Sequence, residues 1–123
     1  MEKLILIVDD SRTNLFIARN MLCEDFQVIT LSSAEKMFAI LEKIKPDLIL
    51  LDIEMPGMDG FKALELLKAD AEKPDIPVIF LTVMNDSEME ARGLRLGAVD
   101  FLYKPLSKSA LLERIKPHLT KKV

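Results

Sequence analysis

With 123 residues, 50% of them hydrophobic and 30% charged, and a net charge of −3, the chain has the size and balance of one soluble globular domain with one core. No basic stripe is visible, which argues against nucleic acid as a direct partner of this domain. One cysteine, Cys23, and one histidine, His118, exclude an internal disulfide and a thiolate–imidazole zinc site, and no apolar run approaches the ~18 residues of a membrane span, so a reducing cytoplasm is the expected setting.

Leu4 to Val8 is an apolar run ending in Asp9-Asp10, the pattern of a buried first strand. Ser11 or Asp10 can cap a helix over about 12–24, with Leu15, Ala18 and Leu22 at helical spacing. Phe26 to Leu31 is β-branched and reads as a second strand, and its Gln27 and Thr30 suit a sheet edge. Ser32-Ser33 caps a helix whose buried face is Met37, Ile40, Leu41 and Ile44, stopped by Lys45-Pro46-Asp47. The third strand, Asp47 to Asp52, ends in a carboxylate followed by the turn chemistry of Met55-Pro56-Gly57-Met58-Asp59-Gly60. Phe61, Leu64 and Leu67 mark the next helix, and Lys73-Pro74-Asp75 a turn. Pro77 to Thr82 is the fourth strand, with Pro77 at its first residue, where it is tolerated. Asp86 or Ser87 caps a helix through Leu96, with Gly97 just beyond it; Gly93 inside that helix costs ~1 kcal/mol relative to Ala and is expected to soften it. Val99 to Tyr103 is the fifth strand, and a Ser107-capped helix runs to about Lys116, where Pro117 should stop or kink it.

Strict alternation of five strands with five helices predicts an α/β fold, a doubly wound five-stranded parallel sheet with helices on both faces. The order 2-1-3-4-5 is preferred, because the first strand has no polar side and belongs in the centre. In such a sheet ligands bind at the carboxyl ends of the strands. Those ends carry Asp9, Asp10, Asp52, Thr82 and Lys104. Singly, each is bland: a helix cap, a turn residue, a β-branched strand residue, a solvated charge. Together, three carboxylates make a costly like-charge cluster that a hard divalent cation would relieve, and a hydroxyl and an ammonium suit the remaining oxygens of a phosphoryl group. The set reads as phosphoryl transfer onto or off a carboxylate.

Asp9-Asp10, Asp52 with the Met55-to-Gly60 turn, Thr82 and Lys104-Pro105 together resemble the receiver domain of two-component response regulators, along essentially the whole chain. The resemblance implies the flavodoxin-like form of this fold, with residues 1–123 as a single receiver domain and about 117–123 as a possible linker stub. It implies that Asp52 is the phosphoacceptor, taking a phosphoryl group from a phosphohistidine of a sensor histidine kinase or phosphotransfer protein. Mg²⁺ would be held by Asp9, Asp10, Asp52 and the backbone carbonyl of Glu54. Thr82 would donate to a phosphoryl oxygen and Lys104 would pair with Asp52, with Lys104-Pro105 a cis peptide. Phe101, three residues before Lys104, matches the aromatic that turns inward when Thr82 moves toward phosphate. The implied role is signalling rather than enzymatic, with Mg²⁺-dependent self-phosphorylation and self-dephosphorylation.

The face made by the fourth helix, fifth strand and fifth helix is the expected output surface, with Met84, Met89 and Leu94 as contacts and a phosphorylation-dependent homodimer among its uses. Output falls to a downstream effector domain or protein, because no effector domain fits in this length. Glu88, Glu90, Arg92 and Arg95 read as a wet helix face, and Glu54 and Met84 flank the site where they should influence the lifetime of the acyl phosphate. The alternatives are a phosphorylation-independent binding module and, further off, an aspartyl-phosphate phosphatase, for which Asp52-Ile53-Glu54 is a poor D-x-D match. A nucleotide-binding module lacks its glycine-rich loops.

Overall fold

In the computed structural model, which describes residues 2–70 and 75–119, strands and helices alternate without exception. The elements are β1 (Leu4–Val8), α1 (Arg12–Leu22), β2 (Gln27–Leu31), α2 (Ala34–Leu41), β3 (Leu48–Asp52), α3 (Gly60–Ala69), β4 (Val78–Thr82), α4 (Ser87–Leu96), β5 (Asp100–Tyr103) and α5 (Lys108–Leu119). The strands form one parallel sheet in the order β2-β1-β3-β4-β5. The five-strand, five-helix architecture and its order are those expected. Of the expected turn, Lys73 and Pro74 lie outside the described residues, as does the tail from residue 120 onward.

Alternation along the central strands assigns each apolar side chain to one of two layers. Leu6, Val8, Ile49, Leu51, Val78 and Phe80 face Met37 and Leu41 of α2 and Phe61, Leu64 and Leu67 of α3. Ile5, Ile7, Leu48, Leu50, Ile79 and Leu81 face Leu15 and Leu22 of α1 and Leu111, Ile115 and Leu119 of α5. Each fully buried Leu or Ile stabilises the fold by about 1.5–3 kcal/mol through the apolar area it removes from water. This double-sided burial is why β1, β3 and β4 read as unbroken apolar runs, while β2, at the edge, does not.

The helix starts follow the caps. Ser11 accepts from the Asn14 amide, Ser33 from Lys36, Asp59 from Lys62, and Asp86 from both Glu88 and Met89. Gly97 ends α4 with φ of 118°, a left-handed conformation that favours glycine. Two ends differ from expectation. Helix α2 stops at Leu41, three residues before Ile44, although Ile40 and Ile44 still pack against the core. Pro117 does not stop α5, which contains it and continues to Leu119. Leu119, beyond the proline, packs with Leu111 and Ile115 into the core on the α1 side of the sheet. None of the helices among the described residues is long and apolar enough to cross a membrane.

Gly93 has a different meaning from the one its helix position suggests. It is buried, and a Cβ there would lie 2.5 Å from Phe101 Cζ and 3.0 Å from Phe80 Cδ2. Phe80 in turn sits edge-on to Phe61 at 5.3 Å and tilted to Phe101 at 5.5 Å between ring centres. The glycine lets α4 approach the sheet over this aromatic row. Gly93→Ala is therefore expected to destabilise by up to about 2 kcal/mol, the overpacking cost of about 1–3 less the helix-propensity gain of about 1. Thermal melts check it: a variant more stable than wild type would mean that α4 is free to shift outward.

Candidate functional site

Strand register alone assembles the site. Val8 pairs with Leu51, so Asp9 and Asp52, the next residue on each strand, come side by side. Asp52 pairs with Leu81, so Thr82 stands one residue further along the adjacent strand. Thr82 pairs with Tyr103, and Lys104 follows, its amide donating to the Thr82 carbonyl at 2.8 Å. All five side chains thus emerge from the carboxyl edge of the sheet, as expected for ligand sites in this fold.

The carboxylates of Asp9, Asp10 and Asp52 have ligand atoms all within 4.8 Å of one another. Asp9 and Asp52 are only 1% and 2% exposed, while Asp10 is open to solvent. Lys104 Nζ donates to Asp9 Oδ2 at 2.9 Å and to Asp52 Oδ1 at 3.2 Å. The expected Lys104–Asp52 pair is present, but Lys104 is shared and lies closer to Asp9. The other oxygen of Asp9 accepts from the Ser11 amide at 2.9 Å, which fixes the carboxylate at the start of α1. The Lys104–Pro105 peptide is cis.

Burial and then the neighbouring Asp9 charge push the Asp52 carboxyl up to about 7, against the opposing pull of Lys104. Burial disfavours the charge of Lys104 too, but its hydrogen bond to Asp9 and the Asp52 and Asp9 charges outweigh that, and its pKa is raised. One ammonium faces three carboxylates. The donor set is all oxygen, hard and short of positive charge, which is the chemistry a divalent cation such as Mg²⁺ takes.

Thr82 is 1% exposed, and its hydroxyl is engaged in a way the sequence did not announce. Oγ1 donates to the Glu54 carboxylate, at 3.1 and 3.3 Å from its two oxygens, and accepts from the Met84 amide at 3.0 Å. Glu54 was expected to offer its backbone carbonyl to the metal and, as a carboxylate flanking the site, to influence the acyl phosphate; its side chain is hydrogen-bonded to Thr82, 28 positions away. Phe101 does not join the acidic cluster. It is 4% exposed, turned inward against Phe80 and the Gly93 backbone.

The expected wet face of α4 is partly engaged. Tyr103 donates to Glu90, tying β5 to α4, and the Arg92 guanidinium lies 4.2 Å over the Phe61 ring. Met84 and Leu94 are exposed as expected for contacts, but Met89 packs against the core. Gly60, the last residue of the expected Met55-to-Gly60 turn, makes a close approach that its turn chemistry did not indicate. Its amide donates to the Ile53 carbonyl at 2.8 Å, and it brings α3 directly against the end of β3.

The family model for the response regulator receiver domain matches residues 5–116. Protein PilH of Pseudomonas aeruginosa is 40% identical over 112 residues, covering 90% of this chain and 93% of PilH. A probable cyclic di-GMP phosphodiesterase of Vibrio cholerae is 39% identical over 118 residues, covering 96% of this chain but 27% of that protein, so the chain spans about a quarter of its length. Among solved structures, a chemotaxis protein of Vibrio cholerae has a TM-score of 0.91 at 26% identity, covering 97% of this chain and 100% of that one.

Proposed function

The chain belongs to the response regulator receiver domain family, and from that premise we propose that it signals by carrying a phosphoryl group on Asp52, received from a phosphohistidine of a sensor histidine kinase or phosphotransfer protein. The observation that carries the proposal is the buried Asp52 carboxylate hydrogen-bonded to Lys104 at 3.2 Å beside two further carboxylates. An Asp52 oxygen forms the new bond to phosphorus as the phosphorus–nitrogen bond of the phosphohistidine breaks and the imidazole keeps the electron pair. Lys104 sits where it can follow the charge from the carboxylate to the phosphoryl oxygens. Thr82, on the neighbouring strand, supplies a hydroxyl for another of those oxygens.

Asp9, Asp10 and Asp52 with the Glu54 carbonyl would hold Mg²⁺, which when bound offsets the carboxylate charge and shields the incoming phosphoryl group. Ser11 and Lys104 keep Asp9 in place for that task. The Gly93–Phe101–Phe80 contact and the Tyr103–Glu90 bond connect β4, β5 and α4. They support a reading in which these elements and α5 form the face that answers phosphorylation, with Phe101 as its inner switch. The face would serve an output domain, a separate effector or a second phosphorylated copy.

Incubation with acetyl phosphate and Mg²⁺, followed by intact mass, tests the site. A gain of one phosphoryl group is expected, lost on adding EDTA and strongly slowed in Asp10→Ala. A gain that persists in EDTA would refute the metal role, and no gain in the presence of Mg²⁺ would refute the phosphoacceptor.

A further inference from the structure

A hydroxyl has one proton to donate. In this structure the Thr82 proton is directed at Glu54, whose two carboxylate oxygens lie 3.1 and 3.3 Å from Oγ1, and the Met84 amide occupies an acceptor position on the same oxygen at 3.0 Å. While those bonds stand, Thr82 cannot donate to a group on Asp52. The acceptor is a charged oxygen, which makes the bond one of the stronger hydrogen bonds available to a hydroxyl. The two partners differ in freedom. Thr82 is buried at the end of β4, whereas Glu54 is exposed and lines an open hollow of about 630 Å³ with Met84, Met89 and Arg92, so it can swing away without disturbing the sheet.

We infer that the Glu54 side chain is a gate on Thr82, holding the hydroxyl away from the phosphoryl site until an arriving phosphoryl oxygen displaces the carboxylate. Glu54 is a positioning residue here, acting through Thr82 and not on phosphorus. The inference rests on the reading of Asp52 as phosphoacceptor and deepens it: entry into the phosphorylated state is set by competition between two anions for one proton. The Glu54 carboxylate competes in the resting protein and the phosphoryl oxygen in the modified one. The rival account is that the Glu54 charge repels an anionic donor through space, with no part for Thr82.

A double-mutant cycle separates the two. The chain has no tryptophan, so uptake from acetyl phosphate with Mg²⁺ is followed by quenched intact mass. Glu54→Ala is expected to speed uptake roughly tenfold, the factor that one charge-assisted hydrogen bond of about 1.4 kcal/mol commands. Glu54→Gln, which keeps a neutral acceptor, should speed it less. In a Thr82→Ala background, Glu54→Ala should leave the rate where it was. In the unphosphorylated protein, Glu54→Ala should also shift the methyl resonance of Thr82 and the amide resonance of Met84, with no donor present. Equal acceleration with and without Thr82, or no acceleration in Glu54→Ala whatever its spectrum, overturns the gate while leaving Asp52 as phosphoacceptor. A wild-type chain that gains no phosphoryl group removes the phosphoacceptor reading and the gate with it.

Discussion

Asp52→Asn should gain no phosphoryl group and yet melt above the wild type at neutral pH in metal-free buffer. The stability half of this expectation follows from the raised carboxyl. Folded Asp52 holds its proton up to about pH 7, whereas unfolded Asp52 releases it near the ordinary 3.8. Between those values the folded state binds more protons, so wild-type stability falls as pH rises through that window. The full shift corresponds to about 4 kcal/mol; solvent screening at the open rim of the site discounts it to about 2 kcal/mol. The asparagine is neutral throughout and escapes this loss. Melts of both proteins at pH 4 and pH 7.5 with EDTA check it. The variant should lead clearly at the higher pH and the lead should shrink at the lower one. Equal melting temperatures at both would mean that Asp52 carries no burden of burial or like charge.

Gly60→Ala is expected to be the most damaging methyl among the four glycines. A Cβ at this position would lie 2.5 Å from the Asp52 carbonyl oxygen and 2.8 Å from the Ile53 Cα. Both are backbone atoms, so no side-chain rotation relieves the clash; either α3 must move off the sheet or the end of β3 must bend. The cost should sit at the top of the overpacking range, about 3 kcal/mol, or a fall of roughly 10 °C in melting temperature. Because the strand end that would bend carries Asp52, uptake from acetyl phosphate should fall well beyond what the loss of stability explains, measured at a temperature where the variant is still folded. A variant that melts lower but phosphorylates at the wild-type rate would show that the strand end holds its shape and the helix gives way.

Some of the disagreement between sequence and structure is instructive. Gly93 and Gly60 both fall in helices, where the sequence read Gly93 as a weak point and Gly60 as the end of a turn. Their actual reason is the distance of closest approach between a helix and the sheet, set by Phe101 and Phe80 in one case and by the β3 backbone in the other. Glu54 read as a carboxylate flanking the site, and no local pattern showed that it is hydrogen-bonded to Thr82. Pro117 looked like a helix end, yet α5 contains it, and Leu119 beyond it packs into the core.

What the sequence determined by itself is the set of elements, their parallel order and the edge at which Asp9, Asp10, Asp52, Thr82 and Lys104 emerge. Those follow from local rules: apolar runs bury strands, caps and proline mark ends, and right-handed crossovers leave few topologies. Only the tertiary structure decided which anion Lys104 lies nearest, what holds the Thr82 proton and which glycines cannot carry a methyl. Each of those is a distance between residues far apart in the chain, set by how closely packed elements approach one another, and no local pattern encodes a separation of a few tenths of an ångström.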